Sequence, residues 1–313
     1  MTTLPLVDAE LRPMLEAWPT VTLTSETLAA LRARELPLPP APDSGVDVEV
    51  RQVPGPDGAP DITLHLYRPR EAAGTLGCIY HVHGGGYVGG AAKELAFIHR
   101  PLAAALGCVI ASVDYRLAPE TVFPGAIEDC YAGLVWTVGH ADALGVDPAR
   151  IGVMGESAGG GLAAALALMA RDRGGPALAF QHLTYPMIDD RTCTAAPPAH
   201  AGEFIWTPHN NRFGWRALLG QEPGGEGVSP YAAAARAEDL AGLPPTFIMT
   251  GALDLFVDED IQYARRLIAA GVPTELHVHP GAFHGFDLLP GPGVSNRAQA
   301  MRLDALARAL RSR

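Results

Sequence analysis

The apolar positions of this chain change period along its length. Val46, Val48 and Val50 alternate with polar residues, and so do Ile62, Leu64 and Leu66, with Pro56-Asp57-Gly58 between them as a turn. That pattern predicts an antiparallel hairpin with one face in water. Short, unbroken apolar runs follow: Cys78–Tyr80, Cys108–Val113, Ile151–Met154, His182–Tyr185, Phe247–Met249 and Leu276–Val278. Helical stretches separate most of them, at about 92–106, 126–139, 158–172 and 258–270, and a final amphipathic helix spans about 295–310. Strands that are apolar on both sides and alternate with helices imply an α/β fold, with a mostly parallel eight-stranded sheet covered by helices on both faces.

Two stretches do not fit that rhythm. Residues 1–45 read as a helical arm: Leu11, Met14, Leu15 and Trp18 form one stripe at helical spacing. Thr24 or Ser25 can cap a second helix running to about Glu35, stopped by Pro37, and Pro37–Pro42 is a stiff connector. Residues 189–243 hold no clear strand but carry Phe204, Ile205, Trp206, Phe213 and Trp215. An aromatic insertion above the strand ends suits a cap. The expected organisation is an arm (1–45) that contributes to the cap, a catalytic domain (46–188 and 244–313) and a cap insertion (189–243).

The stretch with the sharpest chemistry is Gly155-Glu156-Ser157-Ala158-Gly159. It follows a predicted strand, precedes a predicted helix, and fits the G-x-S-x-G nucleophile elbow. A serine held there at positive φ offers its hydroxyl at the turn tip. The flanking glycines let strand and helix pass without a Cβ clash. A serine nucleophile needs a base, and the base an orienting acid. Of eleven histidines, His284 lies in a glycine-flanked loop just after the last predicted strand, at the sheet edge where open α/β folds place their sites. His65, His277 and His279 fall within or at the ends of strand patterns and suit core or surface roles. Asp254 follows the strand Phe247–Met249, whereas Asp258 and Asp260 suit the first turn of the next helix. His83-Gly84-Gly85-Gly86 follows a strand and can turn backbone N–H groups into a cleft. Gly85, Gly86 and Ala158 are the expected oxyanion donors, with His83 a support for the loop rather than a base. Tyr87 and Trp206 are expected to wall a substrate pocket.

Composition narrows the partners. The formal charge of −11, from 34 acidic and 23 basic residues, argues against a nucleic-acid or anionic-membrane partner. The longest apolar run, Leu162–Ala170, is far short of the roughly 20 residues a membrane span requires. No basic segment followed by an apolar run opens the chain, which points to a cytoplasmic protein. Cys78, Cys108, Cys130 and Cys193 lack C-x-x-C spacing and read as free thiols, with no metal site. A phosphate-binding role for the glycines is disfavoured, since no Lys-Ser/Thr follows them.

Together, His83–Gly86, Asp114-Tyr-Arg-Leu-Ala-Pro-Glu120 with Phe123-Pro124, Asp147-Pro148, Gly155–Gly160, Tyr185-Pro186, Gly242-Leu-Pro-Pro245, Asp254 with Asp258-Glu259, and His284-Gly-Phe286 resemble the hormone-sensitive-lipase-like carboxylesterases of the α/β-hydrolase fold, in their bacterial form. The arm matches that family only in position and helical character. The resemblance implies Ser157 as nucleophile, His284 as base, Asp254 as its orienter, and a cap over the site. It implies hydrolysis of short- to medium-chain acyl esters, small molecules, without cofactor or metal; an exposed edge strand could pair two subunits, so a monomer or homodimer is expected. Glu156 stands where the family more often has Asp, and Leu255 where Pro is frequent. The rival readings are an amidase, lactonase or peptidase on the same fold, and a receptor on this fold that has lost catalysis.

Overall fold

The computed structural model describes residues 2–18, 20–34, 38–196 and 198–311. Eight strands form one sheet: β1 (Val46–Val53), β2 (Ile62–Pro69), β3 (Leu76–Val82), β4 (Val109–Asp114), β5 (Val146–Glu156), β6 (Gln181–Thr184), β7 (Thr246–Gly251) and β8 (Thr274–His279). Their order is β1-β2-β4-β3-β5-β6-β7-β8. β2 is antiparallel to both neighbours, and the pairs from β4 to β8 are parallel. The hairpin turn closes through the Ala59 N–H to the Pro56 carbonyl. Only half of the wet-face expectation holds. β1 is an edge strand buried only at Val46 and Val53, with Val50 exposed, whereas β2 lies inside the sheet and is largely buried, because β4 pairs with its second side. β8, the opposite edge, is mostly half-buried rather than buried on both sides.

The helices are α1 (Arg12–Ala17), α2 (Leu28–Ala33), α3 (Ala96–Leu106), α4 (Gly125–Gly139), the single turn α5 (Ala141–Leu144), α6 (Ala158–Asp172), α7 (Pro208–Leu219), α8 (Val257–Ala269) and α9 (Gly293–Leu310). α6 is the pivot. Every residue from Ala158 to Ala170 is buried, so it has no polar stripe. A helix apolar all round belongs inside the core, and its small side chains admit close neighbours. A Cβ at Gly161 would lie 2.0 Å from the Met187 carbonyl oxygen. Among the described residues, no helix is long and apolar enough to cross a membrane.

The arm helices are shorter than their apolar spacing predicts. α1 begins next to Pro13, where a missing N–H costs nothing, and Leu11 is fully buried just before it. Thr24 and Thr27 bond reciprocally, each backbone N–H to the other's hydroxyl, and this turn delays α2 to Leu28. The predicted end of the second helix, Glu35 to Pro37, lies outside the described residues.

Parallel register sets the site. Val82 of β3 pairs with Gly155 of β5, Glu156 with Thr184 of β6, and Thr184 with Met249 of β7. Gly251 of β7 pairs with His279 of β8. The loops after β3, β5, β7 and β8 therefore leave the sheet at one edge, carrying residues 83–86, 157, 254 and 284.

Candidate active site

Ser157 joins β5 to α6 with φ +57° and ψ −123°, a backbone conformation rare for a non-glycine residue. The surroundings enforce it. The Ser157 N–H donates to the Thr184 carbonyl, and the Ser157 carbonyl accepts from the N–H groups of Gly161 and Met187. A Cβ at Gly159 would lie 2.1 Å from the Val82 carbonyl oxygen, and one at Gly155 would lie 2.2 Å from that of Gly159. Both glycines of the motif are therefore required by close backbone approach.

The hydroxyl of Ser157 lies 2.9 Å from His284 Nε2, and His284 Nδ1 lies 2.8 Å from Asp254 Oδ2. The other Asp254 oxygen accepts the Phe256 N–H at 2.9 Å. All three side chains are buried, Asp254 completely. The carboxylate asks for a proton on Nδ1, which leaves the Nε2 lone pair facing the serine hydroxyl. The His284 ring is also packed by Tyr185 and Phe256, with ring centroids 4.6 and 5.3 Å away. Asp254, and neither Asp258 nor Asp260, reaches His284.

Asp258, Glu259 and Asp260 do occupy the first turn of α8. Glu259 and Asp260 are nevertheless buried, which a dipole argument alone does not anticipate. Burial pushes both carboxyls well above the usual carboxylate range. Glu259 accepts the backbone N–H groups of Ile188 and Asp189 and the Thr192 hydroxyl. It thus ties the start of the 189–243 segment to α8. The sequence reading missed this anchor, and the only cue was the Asp258-Glu259 pair within the family pattern.

Gly85 and Gly86 have positive φ, +123° and +61°. Their N–H groups donate to no acceptor among the described residues. Ala158 is the first residue of α6, where a helix leaves its N–H free. His83 supports this loop. Its Nδ1 donates to the Gly84 carbonyl at 2.8 Å, and its ring stacks on Tyr115, whose hydroxyl donates to the His83 carbonyl. Burial pushes the His83 imidazole down to about 4, so it is neutral at neutral pH.

A cavity of about 390 Å³ opens above Ser157. Trp18, Val21, Leu23 and Leu31 from the arm, and Ile205 and Trp206 from the 189–243 segment, line it together with Gly84–Gly86, Tyr185 and His284. The Trp206 ring lies directly against the glycine loop: a Cβ at Gly86 would be 2.1 Å from its Cη2. Tyr87 does not line this cavity, contrary to expectation. Its φ of +66° turns the ring behind the loop, onto Trp215, and its hydroxyl donates to the Met187 carbonyl. The tyrosine next to the triad is Tyr185, at φ +34°. A strand-end Tyr-Pro pair marked its position but not its direction.

Glu156, beside the nucleophile, accepts from His81 Nε2 at 2.8 Å, and His81 Nδ1 lies 2.8 Å from the Ser112 hydroxyl. Burial alone would raise the Glu156 carboxyl, but His81 and Arg302 outweigh it and hold it below its ordinary value. All four cysteines are free. Among the described residues, no cluster of three or more His, Cys, Asp or Glu side chains could hold a metal ion.

Residues 79–288 match the family model described as alpha/beta hydrolase fold. The chain belongs to the α/β-hydrolase fold family. Its relatives in that family include carboxylesterase NlhH of Mycobacterium tuberculosis, 37% identical over 287 residues that cover 90% of this chain and 89% of the relative. Esterase LipI of the same organism is 36% identical over 290 residues, covering 90% of this chain and 88% of the relative. Among solved structures, a bacterial heroin esterase superposes with a TM-score of 0.92 at 41% identity, over 99% of this chain and 100% of that one. The α/β-hydrolase architecture thus extends over the arm, which the sequence motifs did not reach.

Proposed function

We propose that this α/β-hydrolase is a serine carboxylesterase acting on small acyl esters through an acyl-enzyme. One observation carries the reading: the unbroken chain from the Ser157 hydroxyl through His284 to buried Asp254, beside three N–H groups with no acceptor among the described residues. His284 Nε2 takes the Ser157 proton as the hydroxyl attacks the ester carbonyl. The Gly85, Gly86 and Ala158 N–H groups receive the developing oxyanion. His284 then protonates the leaving alcohol, and water repeats the sequence on the acyl-enzyme. Asp254 keeps the ring in the tautomer that leaves Nε2 free to act as the base. No step asks for a metal or cofactor. Carboxylesterase and esterase are also the names carried by relatives that match about nine-tenths of the chain.

The arm and the 189–243 segment together act as the cap in this reading, with Trp206 a wall of the substrate site. A cavity of about 390 Å³ suits short- to medium-chain acyl groups. The test is a series of 4-nitrophenyl esters from acetate to dodecanoate. Turnover is expected to peak at short or medium length. Ser157→Ala is expected to lose activity on the order of 10⁶-fold, and a phosphonate serine probe should label wild type but not the variant. A fully active Ser157→Ala protein overturns the reading.

A further inference from the structure

The cavity continues past Ser157 into a recess between α3 and α9, lined by His99, Glu156, Asp287 and Arg302. Arg302 on α9 is only 9% exposed. Its guanidinium makes one long contact, Nη1 to Asp287 Oδ2 at 3.5 Å, and its other N–H groups donate to no protein atom among the described residues. Asp287 is engaged on its other oxygen, which accepts the Tyr185 hydroxyl at 2.8 Å. His81 holds Glu156 Oε2, while Oε1 accepts no protein hydrogen bond among the described residues. His99 is buried with Nδ1 unpartnered, its ring 4.3 Å from that of His81.

Buried polar groups are normally matched. Here a cation with spare donors and a carboxylate with a spare acceptor oxygen line the same recess beside the proposed nucleophile. An alkyl chain placed there would strip water from both and return nothing. An anionic substituent would meet Glu156, and a cationic one Arg302. A neutral group that both accepts and donates satisfies the two together. We propose that this recess is a subsite for a hydroxyl or primary-amide substituent on the ester substrate, Arg302 donating to it and Glu156 accepting from it. The inference rests on the esterase reading and adds a substrate class to it: polar-substituted esters rather than plain alkyl esters.

Two isosteric pairs test it and distinguish the acyl side from the alcohol side. The first is 4-nitrophenyl 3-hydroxybutanoate against 3-methylbutanoate, and the second ethylene glycol monobutanoate against propyl butanoate. A hydrogen bond to a charged group supports at least about a tenfold preference in kcat/KM for the hydroxylated member of one pair. Arg302→Met should bring that ratio close to one, and Arg302→Lys should keep part of it. A ratio measured on a single preparation is insensitive to the fraction that folds. Ratios within about twofold in wild type for both pairs, or a preference that survives Arg302→Met, overturn the subsite while leaving the esterase intact. Failure of wild type to hydrolyse any of the four esters instead removes the esterase reading, and the subsite with it.

Discussion

Ser157 is approached from two sides, and the two sides are built differently. Beneath it, the sheet edge is backbone held by backbone. Strand register sets Val82 beside Gly155, and carbonyl oxygens lie so close that a Cβ added at Gly155 or Gly159 would come within about 2.2 Å of one, which leaves the elbow one conformation. Above it, two segments far apart in sequence meet through side chains. Asn210 accepts the Leu23 N–H at 2.9 Å, 187 residues away, and donates to the Val21 carbonyl at 2.7 Å. His209 Nε2 donates to the Leu23 carbonyl, and the Ile205 N–H to the Thr20 hydroxyl. The floor is specified by local backbone geometry that leaves no room for a side chain at Gly155 or Gly159. The roof hangs on a few separable bonds, so its shape can vary while the chemistry beneath stays fixed.

That contrast predicts that floor variants lose turnover and roof variants lose binding. The largest effect after the nucleophile itself is expected at Asp254. Asp254→Asn keeps the shape, but its amide N–H turned to His284 favours the wrong tautomer, leaving a proton on Nε2. A fall of about 10⁴ in kcat is expected, with KM and thermal stability little changed. A loss under tenfold would mean that the floor is not organised around this carboxylate. Next comes Gly86→Ala. Its Cβ would enter the Trp206 ring, so either the indole or the N–H it faces must move. Misaiming one oxyanion donor costs about 10²–10³ in kcat. Gly89→Ala is the control: its Cβ would meet nothing closer than 3.7 Å. Equal losses in the two variants would show a general intolerance of the loop rather than a defect of aim.

The same contrast explains how much could be read in advance. The eight strands, the elbow, and the order Ser157, Asp254, His284 were legible, because each follows from the sequence immediately around it. The register that brings residues 83–86, 157, 254 and 284 to one edge follows from parallel strands. The direction of Tyr87 depends on its positive φ, and nothing in its spacing shows that. Asp260 suits the first turn of a helix by its spacing, and neither its burial nor that of Glu259 shows in that spacing. The burial of Glu259 depends on a segment that begins about 70 residues earlier and packs back over α8. Arg302 sat unnoticed in an amphipathic helix, since period alone cannot tell a surface arginine from one directed into a cavity.

Roof variants sharpen the comparison at a lower magnitude. Asn210→Leu leaves the Leu23 N–H and the Val21 carbonyl without their partner in a buried setting. Each orphaned group costs about 1–3 kcal/mol, which is expected to loosen the arm rather than unfold the sheet. Hydrogen exchange at Leu23 should accelerate. KM should rise by about tenfold with kcat within threefold, because the arm walls the cavity without touching the reacting atoms. A large fall in kcat at unchanged KM would instead place the arm within the catalytic geometry and erase the division between floor and roof.

The smallest effect belongs to the clip that ties α2 to the body of the protein. Arg32 forks onto Glu120 at 2.7 and 2.9 Å and also donates to the Val88 and Ala118 carbonyls. Hydrogen bonding to Arg32 pushes the Glu120 carboxyl down to about 2. A carboxylate whose pKa is lower in the folded than in the unfolded chain contributes stability above the unfolded value, near 4.5, and loses it as pH falls through about 2. Glu120 is 63% exposed, so water and salt screen the pair. Glu120→Gln should therefore cost at most about 0.5 kcal/mol. The difference from wild type should shrink in 1 M salt and disappear towards pH 2. The carbonyl contacts of Arg32 survive that substitution, so arm docking should persist, and KM should change by less than twofold. If Glu120→Gln raised KM as much as Asn210→Leu, the roof would be held by charge at its rim rather than by the buried amide at its centre.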